Sequence, residues 1–128
     1  MRRGVLVVED NELVRDMCST VLLESGRTVV ATGAVDDALR VLAADHEIDV
    51  VVTDLSLPGG LSGIELVRTV RERHPGLGIV VTTGRLDDPS TVDSSIEVVM
   101  KPFGIDQLLA AVARAEAASD RARLTAHD

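Results

Sequence analysis

The chain has 128 residues and a formal net charge of -8, so its length fits one ordinary domain and its acidity argues against a nucleic-acid binder. Phe103 is the lone aromatic, which removes base-stacking platforms, and the lone cysteine, Cys18, can form neither an internal disulfide nor a zinc site. No apolar run reaches the ~18 residues of a membrane span, and the short run after Met1 meets Glu9 and Asp10 and does not read as a signal peptide, so no membrane association and a cytoplasmic address are expected.

Five short runs rich in Val and Ile recur along the chain, at residues 5–8, 28–31, 48–53, 78–82 and 96–100. Such continuous apolar runs read as strands buried on both faces of a parallel sheet. Helical spacing fills the intervals. After Asp10 and Asn11, a capping pair, Leu13, Met17 and Val21 repeat every four residues beside Val14, Cys18 and Leu22; Gly26 ends this helix as a C′ residue. Cys18 and Met17 are expected in the core. Residues 34–44 place Ala38, Leu39 and Leu42 together. Residues 62–74 turn Ile64, Val67 and Val70 inward and leave Arg68, Arg71 and Arg73 on the exposed face. The interval 85–95 contains Pro89 and allows one or two helical turns at most. Residues 105–118 carry Ile105, Leu108, Leu109 and Val112, and the polar stretch 119–128 reads as a frayed tail, giving a domain at 1–118 and a tail at 119–128. The β-α alternation, with right-handed crossovers as the default, implies an α/β sandwich of five strands and about five helices, the fourth shortened.

The residues just past each strand carry the chemistry. The first run ends in Glu9 and Asp10, the third in Asp54, the fourth in Thr82 and Thr83, and the fifth in Lys101, the single lysine of the chain. In a parallel sheet all the carboxyl ends share one edge, where ligands bind. Three carboxylates, a hydroxyl and an ammonium are thus aimed at one small volume. Close carboxylates raise one another's pKa unless a cation sits among them. A hard divalent ion such as Mg²⁺ takes oxygen ligands, lysine acts as a point charge for phosphate, and a carboxylate can be a nucleophile toward phosphorus. The set suits phosphoryl transfer onto an aspartate. His46, His74 and His127 lie in unrelated segments and read as surface residues, and the Gly59, Gly60, Gly63 cluster lacks the order of a nucleotide-binding loop.

Four motifs stand in order: residues 5–10 (VLVVED), 49–54 (DVVVTD) with Pro58 and Gly63 after them, 80–84 (VVTTG) and 101–103 (KPF). Over roughly residues 4–118 the chain resembles the receiver domain of two-component response regulators. That resemblance implies a flavodoxin-like five-stranded parallel sheet in the order 2-1-3-4-5. It implies Asp54 as phospho-acceptor, Glu9 and Asp10 as Mg²⁺ ligands with Asp54, and the carbonyl of Ser56 as a backbone ligand. It implies Thr83 as the hydroxyl that binds the phosphoryl group, and Lys101 as its cationic partner, with a Lys101–Pro102 bond that is usually cis. The implied donor is a phosphohistidine on a sensor histidine kinase or histidine phosphotransfer protein, and the output is altered binding to a downstream protein.

Three departures from the family pattern stand out. Pro58, Gly59, Gly60 and Leu61 lengthen the loop before Gly63, much as in receivers attached to hybrid kinases; the interval from Thr83 to Lys101 is short; and Val98 stands where the family often has Tyr or Phe. Arg85, two residues past Thr83, is placed to flank the site. A stand-alone, single-domain receiver is the leading expectation. Its rival is a pseudo-receiver that binds partners without phosphorylation. A Mg²⁺-dependent phosphatase is disfavoured, because Ser56 occupies the position where such enzymes want a general acid, so the chain is expected to catalyse only its own phosphorylation and dephosphorylation.

Overall fold

The computed structural model describes residues 4–44, 47–57, 62–84 and 95–126. Among these, five strands alternate with four helices: β1 (Gly4–Val8), α1 (Glu12–Glu24), β2 (Thr28–Thr32), α2 (Val35–Ala44), β3 (Ile48–Asp54), α3 (Gly63–Arg73), β4 (Gly78–Thr83), β5 (Glu97–Met100) and α4 (Ile105–Ala126). The sheet order is β2-β1-β3-β4-β5 and every pairing is parallel, the flavodoxin-like arrangement that the motifs imply. The short fourth helix expected within 85–95, the lengthened loop at 58–61, Arg85, His46 and His127 lie outside the described residues. Among the described residues, no helix is long and apolar enough to cross a membrane.

The strand sequences explain the two-layer core. Successive side chains of a strand point to opposite faces, so the Val-rich central strands β1, β3 and β4 feed both layers at once and are buried throughout. Leu6, Val51, Ile79 and Val81 meet Ala38 and Leu42 of α2 and Leu66 and Val70 of α3 on one face. Val5, Val7, Val50, Val52 and Val80 meet Cys18 and Leu22 of α1 and Leu108 and Val112 of α4 on the other. With Phe103 the single large ring, packed against the second layer, β-branched and small residues fill most of the space. β2, at the sheet edge, is only partly covered.

α1 begins where Asn11 Oδ1 accepts the Val14 N–H at 3.1 Å, and it ends at Gly26, whose φ of 93° suits glycine. Its packed stripe is Val14, Cys18, Val21 and Leu22. Met17, expected in the core, is 39% exposed, and Leu13 is 81% exposed. The every-fourth-residue pattern of Leu13 and Met17 sits one position, about 100°, away from the stripe that meets the sheet. In α3, Leu66, Val67 and Val70 are buried, Arg68 and Arg73 face outward as expected, and Arg71 turns instead to donate to Ser95 Oγ. Ile105 is also largely exposed.

The polar stretch 119–126 is not a frayed tail. It continues α4 for two further turns, because its polar side chains have specific partners at the opposite edge of the sheet from the strand ends. Ser119, 1% exposed, donates from Oγ to the Gly76 carbonyl at 2.6 Å. Arg123 Nη1 lies 2.7 Å from Asp49 Oδ1, while Asp49 Oδ2 accepts the Gly4 N–H at 3.1 Å. One turn earlier, Glu116 receives both Nε (2.9 Å) and Nη2 (2.8 Å) of Arg27, a forked ion pair that joins α4 to the start of β2. The two side chains are 15% and 10% exposed, so the pair is largely shielded from solvent.

Removing one partner of such a pair leaves a buried charge. Glu116→Ala should therefore cost about 3 kcal/mol in urea unfolding, whereas the double variant Arg27→Met, Glu116→Leu should recover most of it. A single-variant loss below about 0.5 kcal/mol would contradict a pair shielded from solvent.

Candidate functional site

The parallel register delivers the chemistry to one edge. Asp54 and Thr83 are the last residues of β3 and β4, and Glu9 and Lys101 directly follow β1 and β5. In the ladder Asp54 pairs with Thr82, and Thr83 pairs with Met100. Hydrogen bonding continues past the strands. The Glu9 N–H donates to the Thr32 carbonyl at 3.0 Å, Leu55 N–H to the Thr82 carbonyl at 3.1 Å, and Lys101 N–H to the Thr83 carbonyl at 2.7 Å. The backbone carrying each candidate residue is thus fixed by its neighbouring strand. The Lys101–Pro102 peptide is cis.

Glu9, Asp54 and Thr83 are buried, at 3%, 7% and 3% exposure, while Asp10 is exposed at the rim. Lys101 Nζ donates to Asp54 Oδ2 at 2.8 Å and to Glu9 Oε1 at 3.0 Å. The remaining Asp54 oxygen, Oδ1, accepts the Ser56 N–H at 2.9 Å. Ser56 is therefore tied to Asp54 through its amide, a contact that no motif in the sequence signals.

Carboxylate oxygens of Glu9, Asp10 and Asp54 lie within 4.8 Å of one another. Burial pushes the Glu9 carboxyl up from its ordinary 4.5 to about 7; the Lys101 ammonium pulls it down, and the neighbouring Asp54 carboxylate pushes it further up. For Lys101, burial works against the charge, but hydrogen bonds and charges of Asp54 and Glu9 outweigh it and raise the ammonium's pKa. Glu9 Oε2 is buried and has no hydrogen-bond partner. An orphaned acceptor in an all-oxygen cluster with excess negative charge fits a hard divalent cation such as Mg²⁺.

The structure thus brings together Glu9, Asp10, Asp54, Ser56 and Lys101, with Thr83 on the adjoining strand end. Two residues to which sequence reasoning assigns no role also hold the site. Gly63, at the start of α3, packs so tightly that a Cβ there would lie 2.0 Å from the Asp54 carbonyl oxygen. Arg15, on α1, donates from Nη1 to the Glu9 carbonyl at 2.9 Å. The motif marks Gly63 without its reason; Arg15 carries no sequence signal beyond lying near the acidic pair. Val98, in place of the family's aromatic, is half-buried in β5 opposite Val81. The Cys18 thiol, pushed up to about 11 by burial, takes no part.

Gly63→Ala should lower stability by about 2 kcal/mol, because only backbone movement relieves the clash; an unchanged urea midpoint would contradict the close approach. A second expectation concerns pH. The folded, metal-free protein holds the Glu9 proton more tightly than the unfolded chain. The resulting stability is complete below about 4.5 and is lost as pH rises through about 7. In chelator-treated protein, Glu9→Gln should therefore gain stability relative to wild type between pH 5 and 7.5, and a trend of opposite sign would refute the assignment.

The comparisons with known proteins agree with this geometry. A family model for the response regulator receiver domain matches residues 5–113. The DNA-binding transcriptional regulator NtrC of Salmonella typhimurium is 30% identical over 120 residues, covering 90% of this chain but only 25% of that protein. The two-component response regulator PhoP of Pseudomonas aeruginosa is 34% identical over 108 residues, covering 81% of this chain and 47% of that protein. Among solved structures, a response regulator receiver protein from Sinorhizobium medicae superposes with a TM-score of 0.85 at 26% identity, covering 92% of this chain and 97% of that one. The chain spans about a quarter of the length of its NtrC relatives. With strand order, acidic cluster and family match in accord, the chain belongs to the response regulator receiver domain family.

Proposed function

We propose that the domain accepts a phosphoryl group on Asp54 from a phosphohistidine of a sensor histidine kinase or histidine phosphotransfer protein, and signals by altered binding to a downstream protein. The observation that carries this reading is the cluster itself: three carboxylates within 4.8 Å, with the ammonium of Lys101 2.8 Å from one of them.

Glu9, Asp10, Asp54 and the Ser56 carbonyl would hold Mg²⁺. The ion, when bound, supplies positive charge that offsets the charge of the acceptor and of the phosphoryl oxygens. Everything else is work for this chain's own groups. An Asp54 carboxylate oxygen attacks phosphorus, an O–P bond forms, the P–N bond of the donor breaks, and its electron pair returns to the imidazole nitrogen. Lys101, already on Asp54, pairs with a phosphoryl oxygen, and the Thr83 hydroxyl donates to another. The strand-end hydrogen bonds keep these groups in place, so little reorganisation is needed. With Ser56 two residues after the acceptor, no side-chain acid stands at that position to expel an external leaving group, so the chemistry is confined to the domain's own aspartate.

NtrC of Salmonella typhimurium is a DNA-binding regulator, but this chain matches a quarter of it, and its charge of -8 opposes direct contact with nucleic acid. We place the partners of this domain among proteins, in the cytoplasm.

Incubation with Mg²⁺ and acetyl phosphate, followed by intact-mass measurement, should add the mass of one phosphoryl group to the wild type and none to Asp54→Asn. Omission of Mg²⁺ should abolish the addition. No added mass in the wild type would instead assign a binding module that works without phosphorylation, and mass that persists in Asp54→Asn would remove Asp54 as acceptor.

A further inference from the structure

The acidic pair sits on a peptide that is clamped from two sides. The Glu9 N–H is held by the Thr32 carbonyl at 3.0 Å, at the end of β2. The Glu9 carbonyl, which belongs to the peptide joining Glu9 to Asp10, accepts Arg15 Nη1 at 2.9 Å. Arg15 is half-buried and lies on α1, less than two turns past the acidic pair. Its guanidinium reaches back under Gly33, the residue after β2. A Cβ added at Gly33 would come within 3.0 Å of Nη1, and the Glu9 carbonyl oxygen lies 3.8 Å away. Gly33 has no positive φ, so the backbone does not demand glycine; what a Cβ there would crowd is the end of the Arg15 side chain, which would have to shift.

These contacts have a direct consequence for the carboxylates. Glu9 is buried and Asp10 exposed, so the two must diverge from one peptide and still converge on one cation position. The orientation of that peptide plane sets where both side chains start. Its N-terminal residue is anchored by the sheet, and its carbonyl is free to turn unless a donor holds it. Arg15 is that donor, presented from a helix that packs on the sheet through Cys18 and Leu22. Partners that orient metal ligands without touching the metal typically govern affinity by 10- to 100-fold.

We propose that Arg15, in the space left by Gly33, is a positioning residue that sets the Mg²⁺ affinity of the site by fixing the Glu9–Asp10 peptide. This rests on the reading of the acidic cluster as a Mg²⁺ site. Calorimetric titration of the purified protein with Mg²⁺ tests it, beside thermal melts of the same samples without metal. Arg15→Ala should bind Mg²⁺ about tenfold more weakly, with the metal-free melt little changed. Arg15→Lys, which can still donate one hydrogen bond, should remain within about threefold of wild type. Gly33→Val, which keeps the arginine but fills its space, should weaken binding as Arg15→Ala does. Arg40→Ala, which removes an exposed arginine paired with Asp37 away from this peptide, should leave the affinity unchanged. Equal affinity in Arg15→Ala and wild type overturns the proposal. So does equal weakening in Arg15→Ala and Arg15→Lys, or a weakening matched by collapse of the melt. A wild type that binds no Mg²⁺ overturns the reading of the metal site and this proposal with it, whereas wild-type binding that Arg15→Ala leaves intact overturns this proposal alone.

Discussion

One ammonium cannot balance the carboxylates gathered at the strand ends. Lys101 serves both Glu9 and Asp54, and Asp10 adds a third charge at the rim. Glu9 shows the residual imbalance: its carboxyl leans toward the protonated form, and one of its oxygens has no partner. A protein optimised only for stability would place apolar groups here. The retained charge leaves an acidic corner that could hold a cation, and the rest of the molecule holds its groups in place. Two continuous apolar layers stop the strands from shifting, and backbone hydrogen bonds run past the strand ends to hold Glu9, Leu55 and Lys101 in register.

Much of this was legible in the sequence because it is local. Each strand contains a short Val-rich run, and each candidate residue is the last of its strand or the one directly after it, so topology alone brings Glu9, Asp54, Thr83 and Lys101 to one edge. Gly26 was legible for the same reason: its conformation is set by its own helix end. The illegible parts depend on partners distant in the chain. Residues 119–126 look like a solvated tail until Ser119 meets Gly76 and Arg123 meets Asp49, contacts spanning 43 residues for the first of them. Leu13 and Met17 repeat with helical spacing, yet the side facing the sheet is decided by how α1 docks, which places Val14 and Cys18 inward instead. Gly63 appears in the motif, but that it is glycine because α3 starts against the Asp54 carbonyl becomes visible only in three dimensions.

Val98 stands where the family resemblance leads to the expectation of an aromatic ring. A valine in β5 is anchored by its neighbours in the ladder and has few rotamers. This position therefore offers no ring that could swing between two orientations. Bonded links that leave the site include the Lys101 amide on the Thr83 carbonyl, the Leu55 amide on the Thr82 carbonyl and the Glu9 amide on the Thr32 carbonyl, and α3 starts packed closely against Asp54.

β3 carries an aspartate near each end, Asp49 and Asp54, and the two are neutralised in different ways. Asp49 is held by a guanidinium from α4 and by the first amide of β1, partners that belong permanently to the fold. Asp54 is held by an ammonium and one loop amide, and it shares that ammonium with Glu9. One strand is thus tied by charge near both its ends, to α4 and β1 at its start and to the residue after β5 at its finish, so a change of charge at either end is felt by a different neighbour.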